Sequence, residues 1–215
     1  MKKGDKKRRQ KALKRRVESK LARQQARAAG VTSASHHIRH ARDYPIEGCW
    51  VQEGWNEAGL AVVVIARRQP DGNIVFGTYL VDYYCLGLKD AYDNANIPPG
   101  QFRRDYLPRM LQGQPLSISP ALAHEIIYGA IEYAAQFGFQ PHSDFKRAQY
   151  ILDPPDMHPR TGTVEFGKDG QPFYISGPYD NDEAIVRQLA RKVGEDKFHY
   201  LVQIAGPPPD EWDDV

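Results

Sequence analysis

The chain has 215 residues and a mass of 24.4 kDa, which fits one domain with an extension or two small domains. Hydrophobic residues make up 41% and charged residues 26%, and this composition excludes a chain that is disordered or fibrous throughout. No run of about 18 consecutive apolar residues is present. Met1-Lys2-Lys3 continues into further charged residues rather than into an apolar signal core. We therefore expect a cytoplasmic protein with no membrane partner.

The net charge of +2 conceals two segments of opposite sign. Residues 1–30 hold 13 Lys or Arg against 2 Asp or Glu, whereas the rest of the chain holds 16 against 25. The first segment is rich in Lys, Arg, Gln and Ala, all good helix formers, and ends at Gly30, so we predict a basic helical arm. Alone it should fray, because its positive charges repel one another and it has little apolar area to bury. Phosphates would remove that repulsion, which indicates a polyanion as partner.

The candidate nucleic-acid-binding residues are the cationic side chains of this arm: Lys2, Lys3, Lys6, Lys7, Arg8, Arg9, Lys11, Lys14, Arg15, Arg16, Lys20, Arg23 and Arg27.

Several kinds of chemistry lack support in the sequence. The two cysteines, Cys49 and Cys85, are too few for a disulfide framework or a four-thiolate zinc site. No P-loop, dinucleotide-binding or nucleophile-elbow motif occurs. No resident metal or cofactor is therefore predicted, and the sequence favours a binding protein over an enzyme.

The chain divides into four predicted regions. The basic arm covers residues 1–30, and residues 31–44 form a connector that contains His36, His37 and His40. These histidines lack a nearby carboxylate or thiolate, so a flexible connector is favoured over a metal site. An α+β globular domain follows at residues 45–205, and residues 206–215 form an acidic, proline-led tail.

The domain begins with strand patterns and continues with helical ones. Strands are predicted at 49–55, 60–67 and 73–85, and their short Gly- and Pro-containing turns favour antiparallel pairing. The third is apolar on both faces, so it should lie inside the sheet. Helices are predicted at 88–94, 102–111, 120–137, 144–151 and 180–193, a hairpin at 163–166 and 172–175, and a last strand at 198–204. The predicted fold is α+β, with a largely antiparallel sheet, packed helices and a preceding basic arm.

One set of polar residues suggests a metal-dependent nuclease. Asp82 stands near the end of the third strand, where a carboxylate is costly unless it is paired, exposed or functional. Asp90, His142 and Asp144 follow, and hard oxygen ligands of this kind suit Mg²⁺ or Mn²⁺ and attack on a phosphodiester. The alternative is structural: Asp82 pairs with Lys89 or Arg103.

His124-Glu125 begins like the H-E-x-x-H motif of zinc proteases, in which a second histidine one turn later completes the metal site. The fifth position is Tyr128 in this chain. We therefore interpret His124 as a helix-surface or interface residue.

Four segments of the sequence resemble an uncharacterised bacterial family, some members of which carry a C-terminal SEC-C zinc knuckle. They are LVDYYCLGLKD (residues 80–90), YGAIEYA (128–134), GFQPHSDF (138–145) and FGKDGQPFY (166–174). The resemblance covers residues 45–205 and implies a bacterial origin and one integral domain, with no activity to transfer. The knuckle is absent, as the two cysteines require.

These observations favour a nucleic-acid-binding accessory protein that uses the basic arm, with RNA preferred to DNA and a ribosome or another ribonucleoprotein as the natural host. Two alternatives stay open. One is the nuclease centred on Asp82, and the other is a protein–protein interaction component of a defence or toxin–antitoxin system.

Overall fold

An antiparallel five-stranded sheet forms the centre of the fold. The computed structural model describes residues 33–202 and, apart from these, only Lys20. Its strands are β1 (Ile46–Gln52), β2 (Leu60–Arg68), β3 (Ile74–Asp82), β4 (Gly87–Ile97) and β5 (Pro115–Ile118). They lie in the order β4-β3-β2-β1-β5, and every neighbouring pair is antiparallel. The predicted α+β fold with a largely antiparallel sheet is therefore confirmed.

Helices cover both faces of this sheet. They are α1 (Ala34–Arg39), α2 (residues 99–111), α3 (residues 120–135) and α4 (Phe145–Ala148), while a further helix, α5 (Asp182–Val193), packs in a separate apolar cluster. Helices α2 and α3 each contain one π-helical stretch, Phe102–Tyr106 and Glu125–Gly129 respectively. Two 3-10 turns, Ala41–Asp43 and Glu195–Lys197, complete the helical segments of the described residues.

Strand β3 is buried on both faces, as its sequence predicted. Val75, Tyr79 and Val81 face a core that is shared with α1, α3 and α4. Ile74 and Phe76 face a second core on the opposite side, which α2 closes.

The long helix α3 follows its sequence signals closely. The Ser119 side chain accepts a hydrogen bond from the Leu122 N–H, and Pro120 occupies the first turn. Ile126, Ile127 and Ala130 are fully buried against the sheet. The predicted helix over 120–137 is confirmed, with its regular part ending at residue 135.

The segment before the sheet is folded rather than a flexible connector. Helix α1 packs on β4, and both Ile38 and Ala41 are fully buried. The buried His37 ring lies 2.9 Å from the Tyr44 hydroxyl through Nδ1. Residues 33–44 therefore belong to the folded unit, in contrast to the expectation for residues 31–44.

The helix predicted over 88–94 is wrong, because these residues belong to β4. Ala91, Ala95 and Ile97 are buried at every second or fourth position, which is the spacing of a strand. Small alanines and polar neighbours hide this alternation in the sequence. The backbone N–H and C=O groups of β4 find their hydrogen-bond partners in β3, and local propensity does not reveal this pairing.

The hairpin predicted at 163–166 and 172–175 is also wrong, although its turn forms. Asp169 and Gly170 have positive φ angles of 53° and 76°, and Lys168 bridges Gln171. Residues 163–166 form no strand. Instead, β6 (Phe173–Ile175) pairs in parallel with β7 (His199–Leu201). Of the strand predicted at 198–204, Phe198 and Val202 lie outside β7, and residues 203–204 lie outside the described residues.

A third apolar cluster joins this small sheet to α5 and to the end of α3. Its members are Cys85, Phe137, Tyr174, Leu189 and Phe198, all buried. Within the described residues, no helix has both the length and the apolarity needed to cross a bilayer.

Two predicted regions lie outside the described residues. They are the basic arm at residues 1–30, apart from Lys20, and the tail at 206–215. Lys20 itself is exposed.

Candidate functional site

Asp82 has a structural environment at the end of β3. Its carboxylate is buried and accepts hydrogen bonds from the backbone N–H groups of Tyr84 (3.0 Å) and Cys85 (2.9 Å). Burial raises the pKa of Asp82 to about 6, although these hydrogen bonds and nearby Lys89 oppose that shift. Neither expected salt-bridge partner is used, because Lys89 pairs with Asp180 and Arg103 pairs with Glu47.

The other three nuclease candidates lie together on the surface. The Nδ1 atom of His142 is 3.6 Å from an oxygen of Asp90 and 3.9 Å from an oxygen of Asp144. All three residues are exposed, and Asp82 is not part of the group. The four candidates therefore do not form one carboxylate centre. An exposed cluster of this kind is also common without any ion.

A buried polar site that the sequence analysis did not identify lies where β2 meets the loop after α4. The Arg67 guanidinium, only 3% exposed, donates to an Asp153 carboxylate oxygen. It also donates to the backbone carbonyls of Ile151 (2.7 Å) and Tyr44 (2.8 Å). These bonds satisfy a charge that would otherwise be costly to bury, and they fix the position of Asp153.

His158 contacts the other carboxylate oxygen of Asp153. Its Nε2 lies 2.9 Å from Oδ2, while Arg67 holds Oδ1. The Tyr128 hydroxyl donates to the Asp153 backbone carbonyl at 3.2 Å. Both carboxylate oxygens of Asp153 and its backbone carbonyl therefore have hydrogen-bond partners.

His124 completes this site from α3. It is 3% exposed, and its ring centroid lies 4.5 Å from that of His158. Its Nδ1 is buried and has no hydrogen-bond partner among the described residues. The sequence analysis expected His124 at the helix surface or in an interface, and the surface position is wrong because the residue is buried.

The loop that carries His158 is anchored at both ends. Asp153 holds its start through Arg67, and Glu125 of α3 holds its end. The Glu125 carboxylate accepts from the backbone N–H groups of Thr161 (2.8 Å) and Gly162 (3.0 Å) and from the Thr161 hydroxyl. Residues 153–162 are thus held over α3, with His158 above His124.

The charges of the site are fixed by these contacts. Burial, helped by neighbouring His158, lowers the pKa of His124 to about 4, so its ring is neutral at neutral pH. Burial would raise the pKa of Asp153, but hydrogen bonds from His158 and Arg67 outweigh it and hold that pKa below its usual value. The site therefore presents one neutral imidazole, a second imidazole and an ionised carboxylate.

The sequence held only one signal for this site, the His124-Glu125 pair. Asp153 and His158 stand in the proline-rich run DPPDMHP, which has no periodic pattern. Their approach to α3 depends on Arg67, which is 86 residues before Asp153 in the chain. Spacing within the sequence does not reveal such a long-range contact.

Comparison with protein-family models, curated proteins and solved structures found no match for this chain. The resemblance to the bacterial family therefore remains a prediction, and any function must be argued from the residues themselves.

Proposed function

We propose that this protein binds nucleic acid, RNA in preference to DNA, through the basic segment of residues 1–30. The observation that carries the proposal is the separation of charge along the chain. Residues 1–30 hold 13 Lys or Arg against 2 Asp or Glu, whereas residues 33–202 hold 16 against 21. A segment of such density attracts phosphates and releases their counterions, while the acidic unit does not.

Half of the cations of the folded unit are already engaged. Eight of its 16 Lys and Arg side chains form ion pairs with carboxylates of the described residues. Arg67 and Lys89 are also at least half buried in these pairs. These side chains are therefore poor candidates for phosphate contacts, and this supports the basic segment as the binding element.

RNA is the favoured partner because of the composition of the segment. The segment holds six Arg and seven Lys, and basic segments rich in Arg fold when they bind structured RNA, whose phosphates line narrow grooves. The described residues that follow this segment begin at residue 33, and we expect this folded unit to remain outside the RNA as a body for further contacts. A ribosome or another ribonucleoprotein fits this arrangement as host.

The test compares two variants of the full chain. The first replaces Lys6, Lys7, Arg8, Arg9, Arg15 and Arg16 with Gln, and the control replaces the exposed cations Arg187, Arg191 and Lys192 of α5 with Gln. Binding to an RNA hairpin, a single-stranded RNA and a DNA duplex of equal length is measured over a range of salt concentrations.

We expect the first variant to flatten the dependence of binding on salt. On single strands the slope of log K against log salt changes by about 0.7 for each phosphate that the variant no longer neutralises. The α5 control should leave that slope unchanged. An unchanged slope in the first variant would refute the proposal, and stronger binding to DNA than to RNA would refute the RNA preference.

A further inference from the structure

Three potential metal ligands converge in the buried site between α3 and the loop at 153–162. One ring nitrogen each of His124 and His158 and one oxygen of Asp153 lie within 4.8 Å of one another. Ligand atoms of a tetrahedral zinc ion are about 3.3 Å apart, because each bond is about 2.0–2.1 Å long. Binding of an ion would draw the three ligand atoms to that spacing.

The buried side chain of His124 favours the binding of an ion by this cluster. The residue is only 3% exposed, and its Nδ1 is buried without a hydrogen-bond partner among the described residues. A buried nitrogen without a partner has lost its hydrogen bonds to water without compensation. A metal ion bound through Nδ1 would give that nitrogen a partner, and the centroid of the same ring lies 4.5 Å from that of His158.

Asp153 is already oriented as a ligand. Arg67 binds Oδ1, which leaves Oδ2 directed towards His158 at 2.9 Å. In metal sites, a hydrogen-bond partner on the far side of a ligand commonly fixes its orientation. Arg67 serves this purpose while it is itself held by two backbone carbonyls.

We propose that His124, Asp153 and His158 bind one divalent transition-metal ion that clamps the loop at 153–162 onto α3. Two imidazoles and one carboxylate suit zinc better than Mg²⁺ or Ca²⁺, which prefer oxygen ligands. His124 and Asp153 are buried, and the ion would join α3 to the loop, with water as its fourth ligand. This inference is independent of the proposed nucleic-acid binding.

The test titrates zinc into the full-length protein after chelator treatment, with a coloured chelator as competitor. Co²⁺ provides a second probe, because its visible absorption distinguishes tetrahedral from octahedral coordination. We expect one zinc ion per chain. His158→Gln should weaken binding by more than the roughly 10–100-fold that is typical for loss of an outer partner. Zinc should also raise the melting temperature of the wild type.

Two further variants decide between sites and guard against misfolding. His142→Gln removes a histidine of the exposed Asp90 cluster and should leave the zinc affinity equal to that of the wild type. Asp153→Asn keeps the shape of the side chain and should weaken zinc binding as His158→Gln does. Circular dichroism establishes that each variant is folded before its affinity is compared.

Three results would overturn the proposal. They are the absence of stoichiometric zinc binding to the wild type, equal affinity in the wild type and a folded His158→Gln variant, and loss of the zinc in His142→Gln. The last result would place the ion at the exposed cluster instead.

Discussion

Arg67 on β2 and Asp153 in the loop after α4 form a buried ion pair between residues 86 positions apart. The pair links the central sheet to the loop that carries His158. Because Arg67 also bonds to Ile151 and Tyr44, one side chain joins three segments of the chain. The stability of this region should therefore depend on it strongly.

Replacing Arg67 with Met should destabilise the protein by about 3–5 kcal/mol, because Asp153 would remain buried without its partner. Urea unfolding followed by circular dichroism measures the change. Arg104→Met is the matched control, because Arg104 forms an exposed pair with Asp105 and its replacement should leave the stability nearly unchanged. Equal effects of the two substitutions would contradict the importance of the buried pair.

Asp82 should make the protein less stable as the pH rises. Burial raises its pKa to about 6 in the folded state, so the folded protein binds more protons than the unfolded chain between about pH 4 and 6. Its favourable contribution is complete below about pH 4 and is lost as the pH rises through about 6. The loss amounts to at most about 3 kcal/mol.

The variant Asp82→Asn keeps an oxygen acceptor for the Tyr84 and Cys85 N–H groups but carries no charge. We expect it to match the wild type near pH 4 and to exceed its stability near pH 8, measured by urea unfolding at both values. Asp196→Asn, at an exposed position, is the control and should follow the wild type. If the stability of Asp82→Asn fell with rising pH as steeply as that of the wild type, another group would be responsible for the pH dependence.

Gly87 is required by both its backbone and its surroundings. Its φ angle is +74°, and an added Cβ would lie 2.8 Å from Ala134 Cβ and 3.0 Å from the Ala130 carbonyl oxygen. Gly72 has a similar φ of +85° but open space around it. Gly72→Ala should cost about 1–2 kcal/mol for the left-handed backbone. Gly87→Ala should cost more, which thermal unfolding of both variants tests, and equal losses would exclude the steric contribution.

Both thiols should be unreactive in the folded protein. Burial raises the pKa of Cys49 to about 12, and it raises the pKa of Cys85 well above the usual range. Thiolates are the reactive form, so a thiol reagent should label neither cysteine until denaturant is added. Rapid labelling of one thiol in the native protein would indicate that its cluster opens.

The sequence predicted the elements whose patterns are local. The β-branched run of β2 and the Ser119-Pro120 start of α3 both led to correct predictions, because propensity and burial agree there. At residues 88–94 propensity and burial disagree, because polar side chains line the exposed face of an edge strand. Only the pairing with β3 decides the structure there. The parallel pairing of β6 with β7 is equally non-local, and a turn signal at Asp169-Gly170 could not reveal it.

The candidate sites show the same limit. Asp90, His142 and Asp144 meet as the nuclease hypothesis required, but Asp82 is engaged with its own turn. The buried cluster of His124, Asp153 and His158 depends on Arg67 and Glu125, whose contacts span long separations in the chain. Such sites become visible only when the fold brings their elements together.

The central claim is that residues 1–30 hold RNA. The most direct measurement is to purify the full chain from its own cells at low salt and to identify bound nucleic acid and protein before and after a high-salt wash. We expect a defined RNA that salt releases and that the Gln variant of the basic segment fails to retain. A chain that purifies free of nucleic acid, with one stoichiometric protein that survives nuclease treatment, would contradict it and favour a protein-interaction component.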